Sequence, residues 1–546
     1  MTAVTAPLRT GATYSPLAGT GTLIRFILRR DRVRIPVWVA ALTLATVSTA
    51  TSFPGLYKTA AERQARAALL QDNPTGIAFT GPGYGVEHYT FGAMLANEML
   101  GFIAVFAALM SVLLVVRHTR TEEETGRTEL VRATVTGRHA HLAAALTVVC
   151  GVNVVLGLLI ALALGGSGVA SLTWVGSLAF GAAVASVGVV FAGIAAIAAQ
   201  LTEHARTAAG MAGLVIGVAF VLRAVGDIGD GVASWISPIG WAQATRAYVD
   251  ERWWPLGLAA VVAVAFAVAA VMLSARRDAG VGMLAQRPGP ARASAVLGRS
   301  LGLALRLQRG ALIGWATALF AFGAVYGSLI DALEKFINDN AAIRQAIGGQ
   351  GGSAVDSFLA LIIGMLAAVS AIYAVQSVSR LRTEEAAGRV EALWGTALSR
   401  IRWVAGHLAV AGIGSALVLA LTGLGLGASA AVAGGDPDLL PTMLGAALAY
   451  VPAVWLTVGV TVALAGLLPR LVTLAWAVPV YALIVGMFGG LLQFPDWAID
   501  LSPFEQVPQL PGAELTWTPL IALTGIAVAL TALGLLGYRR RDLQVS

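Results

Sequence analysis

Between Arg138 and Glu203 the chain runs for 64 residues without a single Asp, Glu, Lys or Arg. As one helix, at about 1.5 Å per residue, that stretch would reach roughly 96 Å, three times the ~30 Å hydrocarbon core of a bilayer. It must double back, and Gly165-Gly166-Ser167-Gly168 is where the backbone is free enough to reverse. Hydrophobic residues make up 57% of the 546 positions and charged residues 12%, against about 45–50% and 25% in a soluble domain. Polar groups cannot cover such a surface, so the solvent is lipid. The one cysteine, Cys150, excludes a disulfide scaffold, and the apolar content excludes a disordered chain. A net charge of +7 would suit nucleic acid, yet 34 of the 36 cations are arginines in short, widely spaced groups. That is the spacing of membrane anchors, and no nucleic-acid partner is expected.

A spanning helix needs about 20 mostly apolar residues, so charge-free gaps count the spans. They predict six in the first half, near 35–53, 93–116, 141–164, 171–199, 208–225 and 255–275, and six in the second, near 312–330, 355–379, 404–432, 441–466, 472–490 and 517–537. The expected fold class is an all-α integral membrane protein with twelve transmembrane helices. With both termini in the cytoplasm, the inner segments hold 28 of the 36 Lys and Arg, leaving Lys58, Arg63, Arg66, Arg223, Arg246, Arg252, Lys335 and Arg344 elsewhere. Cytoplasmic loops are enriched in cations, which makes this the expected orientation. Ser48-Thr49-Ala50 resembles a small-residue cleavage site, but the cationic region before the first stretch is long and an equivalent stretch recurs at 312–330, so an uncleaved span is expected.

The segment RTEEETGRTELVRATVTGR, Arg120 to Arg138, aligns without gaps on RTEEAAGRVEALWGTALSR, Arg382 to Arg400, at an offset of 262. Identities fall at Arg120/Arg382, Thr121/Thr383, Glu122/Glu384, Glu123/Glu385, Gly126/Gly388, Arg127/Arg389, Glu129/Glu391, Thr134/Thr396 and Arg138/Arg400. Flanking landmarks keep nearly the same spacing: Arg206 with Arg470, Ser237-Pro238 with Ser502-Pro503, and Arg276-Arg277-Asp278 with Arg540-Arg541-Asp542. Upstream, Arg29, Arg32 and Trp38 match Arg306, Arg309 and Trp315 at an offset of 277. Such self-similarity marks a duplicated unit. An even number of spans per half gives both copies one orientation, so the expected architecture is two tandem parallel six-helix repeats. The domains are then a cytoplasmic N-terminus at 1–34, a first six-span domain at 35–275, a cytoplasmic linker at 276–311, a second six-span domain at 312–537 and a cytoplasmic tail at 538–546. Within the N-terminus, LIRFILRRDRVRIP sets Leu23, Ile24, Ile27 and Leu28 against Arg25, Arg29, Arg30, Arg32 and Arg34, the pattern of an interfacial amphipathic helix.

Little in the chain can perform chemistry. The only lysines, Lys58 and Lys335, follow no phosphate-cradling Gly-rich loop, so this chain is not expected to hydrolyse ATP or to be an enzyme. His118, His139 and His141 cluster on the cytoplasmic side, but no cysteine or second carboxylate stands at ligand spacing, and no metal is expected. The intramembrane ionisable residues are Glu98, Asp356 and Arg223, all in the outer third of their spans, where pairing at the interface is expected over a proton relay. What remains is the repeated cytoplasmic segment. Glu123 with Arg127 and Glu385 with Arg389 are four apart, in the order that supports a short helix by a few tenths of a kcal/mol, roughly. A merely solvated loop would have no reason to keep one charged pattern in both copies while the neighbouring spans diverge.

This segment resembles the coupling-helix loop of type-two ABC exporter permeases: a carboxylate pair, a glycine, a glutamate three further on, and a closing threonine. The matching residues are Glu122, Glu123, Gly126, Glu129 and Thr134, and again Glu384, Glu385, Gly388, Glu391 and Thr396, with Val135 and Ala397 where the family has proline. The full length is similar to the fused twelve-span permeases of actinobacterial exporters for polyketide antibiotics and other drugs. The resemblance implies a permease in a bacterial plasma membrane that binds no cofactor itself and sits on two copies of a separate ATPase, which holds ATP and Mg. By the same resemblance the loops, Arg127 and Arg389 included, dock that ATPase. A cavity for a hydrophobic small molecule would lie along the second and fifth spans of each half, near Phe102, Phe106, Phe220, Phe358, Trp476 and Tyr481. The competing expectation is a proton-driven twelve-span drug efflux facilitator. Its loop between spans two and three would be a tight turn, not 22 residues copied in both halves.

Overall fold

The computed structural model describes residues 15–71, 74–133, 136–277, 282–284, 292–328, 330, 354–396, 398–488 and 494–540. Among these residues there is no strand, and twelve helices are long and apolar enough to cross a membrane. The chain divides into two compact units, Met1–Arg287 and Pro288–Ser546, parted inside the arginine-rich linker.

In the first unit the spans are Arg34–Leu56, Phe91–His118, Ala140–Gly165, Trp174–Leu201, Ala205–Ile228 and Trp254–Arg276. The long charge-free stretch folds as the third and fourth of these. Gly168, at φ 72°, lies in the reversal, and the Thr173 hydroxyl accepts the Gly176 N–H at 3.0 Å to start the returning helix. The two helices then meet through glycine: a Cβ on Gly157 would stand 2.5 Å from the Gly181 carbonyl oxygen. With no hydrophobic drive between helices in lipid, close backbone approach and buried polar contacts hold spans together. Asn153 Nδ2 donating to Ser111 Oγ at 2.8 Å, between the third and second spans, is one such contact.

The second unit holds Ser300–Ser328, Ala354–Ala386, Arg400–Gly434, Leu439–Ala449 continued by Val451–Leu467, Pro469–Gly486 and Trp517–Arg540. Pro452 has no N–H to give, and the tenth span breaks at Tyr450 beside it. The eleventh opens as a 3₁₀ helix over Pro469–Trp476 before Ala477–Phe488 turns α-helical. Gly466 faces Gly534 as Gly157 faces Gly181, a Cβ there reaching 2.0 Å from the Gly534 carbonyl oxygen.

Two boundaries depart most from expectation: the end of the eighth span, which runs on to Ala386 instead of stopping near 379, and the start of the seventh. The seventh span begins at Ser300, twelve residues ahead of the charge-gap reading, because Arg306 and Arg309 are carried on the exposed face while Gly302, Ala304 and Gln308 pack inward. The same stretch of the first unit is interrupted: helix Thr20–Arg30, with Leu23 and Ile27 buried, is parted from the first span by residues 31–33. Pro36 explains this. Its ring collides with the carbonyl four residues back and it cannot donate there, whereas the second unit has Ile313 at that register.

Candidate functional site

The repeated segments make the same turn in both units. After the second span, Arg120–Glu124 forms a short helix, Gly126 takes φ 70°, and Arg127–Arg132 forms another. In the second unit the eighth span runs unbroken to Ala386, Gly388 takes φ 68°, and Arg389–Trp394 follows. Gly126 N donates to Glu123 O at 3.1 Å and Gly388 N to Glu385 O at 2.9 Å. Glycine alone enters this left-handed region without a Cβ penalty, which is why the two glycines recur in both copies. Glu129 and Glu391 come to the first turn of the short helices that follow, both exposed, and neither has an ion-pair partner among the described residues.

The carboxylate pairs point the other way. Glu122 is buried and takes a hydrogen bond from Arg30 of the amphipathic helix. Glu123 accepts both ends of Arg277, at 2.7 and 2.9 Å, from beyond the sixth span, and also bonds the buried Arg120. Arg120 Nε in turn donates to the Glu203 carbonyl at 2.7 Å. Glu124 Oε1 accepts the Ala205 N–H at 2.9 Å, satisfying an open donor at the start of the fifth span. Three consecutive glutamates therefore tie the loop to three different elements. Beside them Asp31, buried where the amphipathic helix ends, accepts from Arg117 at 3.2 Å and lies 2.7 Å from His118 Nε2.

In the second unit the ties are local. Glu384 Oε2 accepts from Arg389 Nε at 2.6 Å, a bond that holds this guanidinium above its ordinary pKa. Arg380 Nε lies 2.7 Å from Glu384 Oε1, close as charges but outside hydrogen-bond alignment. Glu385 is buried with Arg382 3.7 Å away. The expected pairing of residues four apart is thus displaced by one: Arg127 approaches Glu122, at 3.9 Å, and Arg389 binds Glu384. The left-handed glycine between them interrupts the helical period that would have aligned Glu123 with Arg127. Thr396 bonds its hydroxyl to Leu393 O at 2.6 Å. Thr134 lies outside the described residues.

The six aromatic positions are scattered within their units. Phe106 and Trp476 are exposed, Phe358 packs against the second core, and Phe102 is half-buried. Phe220 lies under Arg223 at 4.5 Å, and Tyr481 donates to Ala498 O at 2.5 Å. Two of the three ionisable groups within the spans are ion-paired, Glu98 with Arg66 at 3.2 Å and Arg223 with Asp227 at 3.3 Å, and the third, Asp356, lies in the first turn of the eighth span. Among the described residues no cluster of His, Cys, Asp or Glu is placed to hold a metal ion. The network residues that sequence reasoning missed are Arg30, Asp31, Arg117, Arg380 and Arg277. The Arg277/Arg541 match hinted at the last, but partners 154 residues apart carry no local signature.

Comparison with known proteins places the chain. The family described as multidrug efflux system permease Rv1217c, C-terminal domain, matches residues 21–273 and 297–539. The multidrug efflux system permease protein Rv1217c of Mycobacterium tuberculosis is 41% identical over 535 residues, spanning 97% of this chain and 96% of that protein. Matched over nearly its whole length at this identity, the chain belongs to the family of the multidrug efflux system permease Rv1217c.

Proposed function

We propose that this chain is the membrane-spanning permease subunit of a bacterial ABC exporter, moving hydrophobic drugs or antibiotics out of the cell with free energy from ATP hydrolysed on two copies of a separate ATPase. In this reading both termini are cytoplasmic, the two units are parallel six-span repeats, and each repeated loop receives one ATPase. The observation that carries it is the pair of short helices after Gly126 and Gly388. Each offers one exposed glutamate while the neighbouring carboxylates brace the loop from within. A permease without a phosphate loop must receive work mechanically, and a charged group on a braced helix is what a partner's arginine or backbone amides can grip.

The test is co-purification with an ATPase encoded beside this chain, then export assays on Glu129→Ala combined with Glu391→Ala. Losing one side of a partly buried charged contact costs about 2 to 5 kcal/mol, so the double variant should release or uncouple the ATPase while remaining folded. Orientation is read separately: on a Cys150→Ala background, cysteines at Asp230 and Asp438 should label from outside with an impermeant reagent, and those at Thr125 and Ala386 should not. Export that persists in the double variant, or that follows a proton gradient after ATP depletion, would overturn the reading in favour of a proton-driven facilitator.

A further inference from the structure

The second unit contains a cavity of about 440 Å³ at the end opposite Glu384. Among the described residues its walls include Gly364 and Met365 of the eighth span, Tyr450 at the tenth-span break, and Phe504, Glu505 and Gln509 from the segment before the last span. The volume is that of a site for a drug-sized molecule. The Tyr450 and Phe504 rings stack 6.3 Å apart with their planes 20° from parallel. Glu505 is half-buried, its backbone N–H donates to Ser502 O at 3.2 Å, and its carboxylate has no hydrogen-bond or ion-pair partner among the described residues. Burial pushes its carboxyl above the usual range, with no nearby cation to hold it down.

The repeat shows that the fold does not require this glutamate. SPIGWAQ at 237–243 corresponds to SPFEQVP at 502–508, so Glu505 stands where the first unit has Gly240. There a Cβ would come within 2.1 Å of the Ser234 carbonyl oxygen, leaving no room for any side chain. The surrounding charge differs in the same sense. In the first unit two of the acids at this end are paired with arginine, Asp227 with Arg223 at 3.3 Å and Asp250 with Arg252 at 2.8 Å. In the second, segments 435–438 and 487–516 carry Asp436, Asp438, Asp496, Asp500, Glu505 and Glu514 and no Lys or Arg, and the 331–353 segment adds Asp331, Glu334 and Asp339 against Lys335 and Arg344, nine acids to two cations in all. The field at this end favours a cation. A bare metal ion would need several oxygen ligands, whereas this wall offers one carboxylate among aromatic faces and a thioether, the surroundings that suit a large apolar cation.

We propose that this cavity binds lipophilic organic cations, with Glu505 as the counter-charge and the Tyr450 and Phe504 rings as the apolar bed. The proposal names a substrate class for the export reading and rests on that reading for its role, but the binding step needs no energy source and is measured without the ATPase. The full chain in detergent is titrated calorimetrically with tetraphenylphosphonium and with neutral triphenylphosphine oxide. Glu505→Gln should weaken the phosphonium about tenfold, equivalent to about 1.4 kcal/mol, and leave the oxide unchanged. Met365→Trp, which fills the cavity, should weaken both, and Glu514→Gln, an acid outside the described wall, should change neither. Unaltered phosphonium binding in Glu505→Gln or in Met365→Trp would overturn the site. So would an equal loss in Glu514→Gln, which would reduce the effect to a general surface field. Failure of export in the loop double variant bears on the energy source alone and leaves these titrations standing.

Discussion

The loop ends of the two units share a backbone design and differ in what braces it. In the first, the brace is ionic and reaches across the unit: Arg30 to Glu122, Arg277 to Glu123, Arg117 and His118 to Asp31. In the second, Gln308 occupies the register of Asp31 and makes a neutral contact to His407 at 2.9 Å, with Ser377 donating to its side-chain oxygen, while Leu307 replaces Arg30. Glu384 is left with arginines of its own segment. The left-handed glycine and the exposed glutamate survive in both copies while the charges that steady them are redistributed. The turn is thus kept more closely between the two copies than the contacts that support it.

The contrast is broken most forcefully by deleting the central carboxylates. Glu123→Ala takes from Arg120 and Arg277, whose side chains are 1% and 6% exposed, the carboxylate they share. The expected loss is about 3 to 5 kcal/mol, seen as a lower thermal midpoint in detergent. Glu384→Ala frees Arg389, already 56% exposed, and should cost only about 1 kcal/mol. Equal losses would show that the two networks carry equal weight. A smaller effect comes from exchanging the polar centres. Asp31→Asn removes the anion shared by Arg117 and His118 and should cost about 1.5 to 3 kcal/mol, the range for hydrogen bonds to charged groups. Gln308→Leu, which removes a neutral bridge, should cost nearer 1 kcal/mol.

The smallest effect lies at the opposite ends, where Glu505 faces a cavity and Gly240 does not. Burial raises the Glu505 carboxyl above its ordinary range, so its charge costs more in the fold than in the unfolded chain. Stability linked to it is full below the ordinary glutamate range and is lost as pH rises through the raised value. Glu505→Gln removes that dependence and should lift the thermal midpoint by about 1 °C at neutral pH and not at all in acid. A wild-type protein no more stable in acid than this variant, relative to neutral pH, would show that the carboxyl is solvated.

The span count was legible because lipid imposes one rule, apolar length, that arginine interrupts cleanly. The same rule hid the start of the seventh span, since Arg306 and Arg309 read as flanks although a helix can carry charge on one exposed face. The loop was found because it is repeated, while the turn at its glycines came from the structure. The inward aim of Glu122 and Glu123 could not be read, since their partners come from Arg30 and Arg277, far away in sequence. Glu505 was visible in principle: comparing SPIG with SPFE within the repeat exposes a carboxylate in place of a glycine.

The break at Thr119, absent from the eighth span, bears on how motion passes through each half. A continuous helix behaves as a rod: displacement at Gly388 arrives at the far end of the span undiminished and at once. The jointed one behaves as a linkage, in which a push on the loop is divided among the N-terminal helix, the fifth span and the tail of the sixth. Under the proposed export reading, two identical pushes on the loops would therefore be passed on as a translation in the second unit and as a distributed tilt in the first.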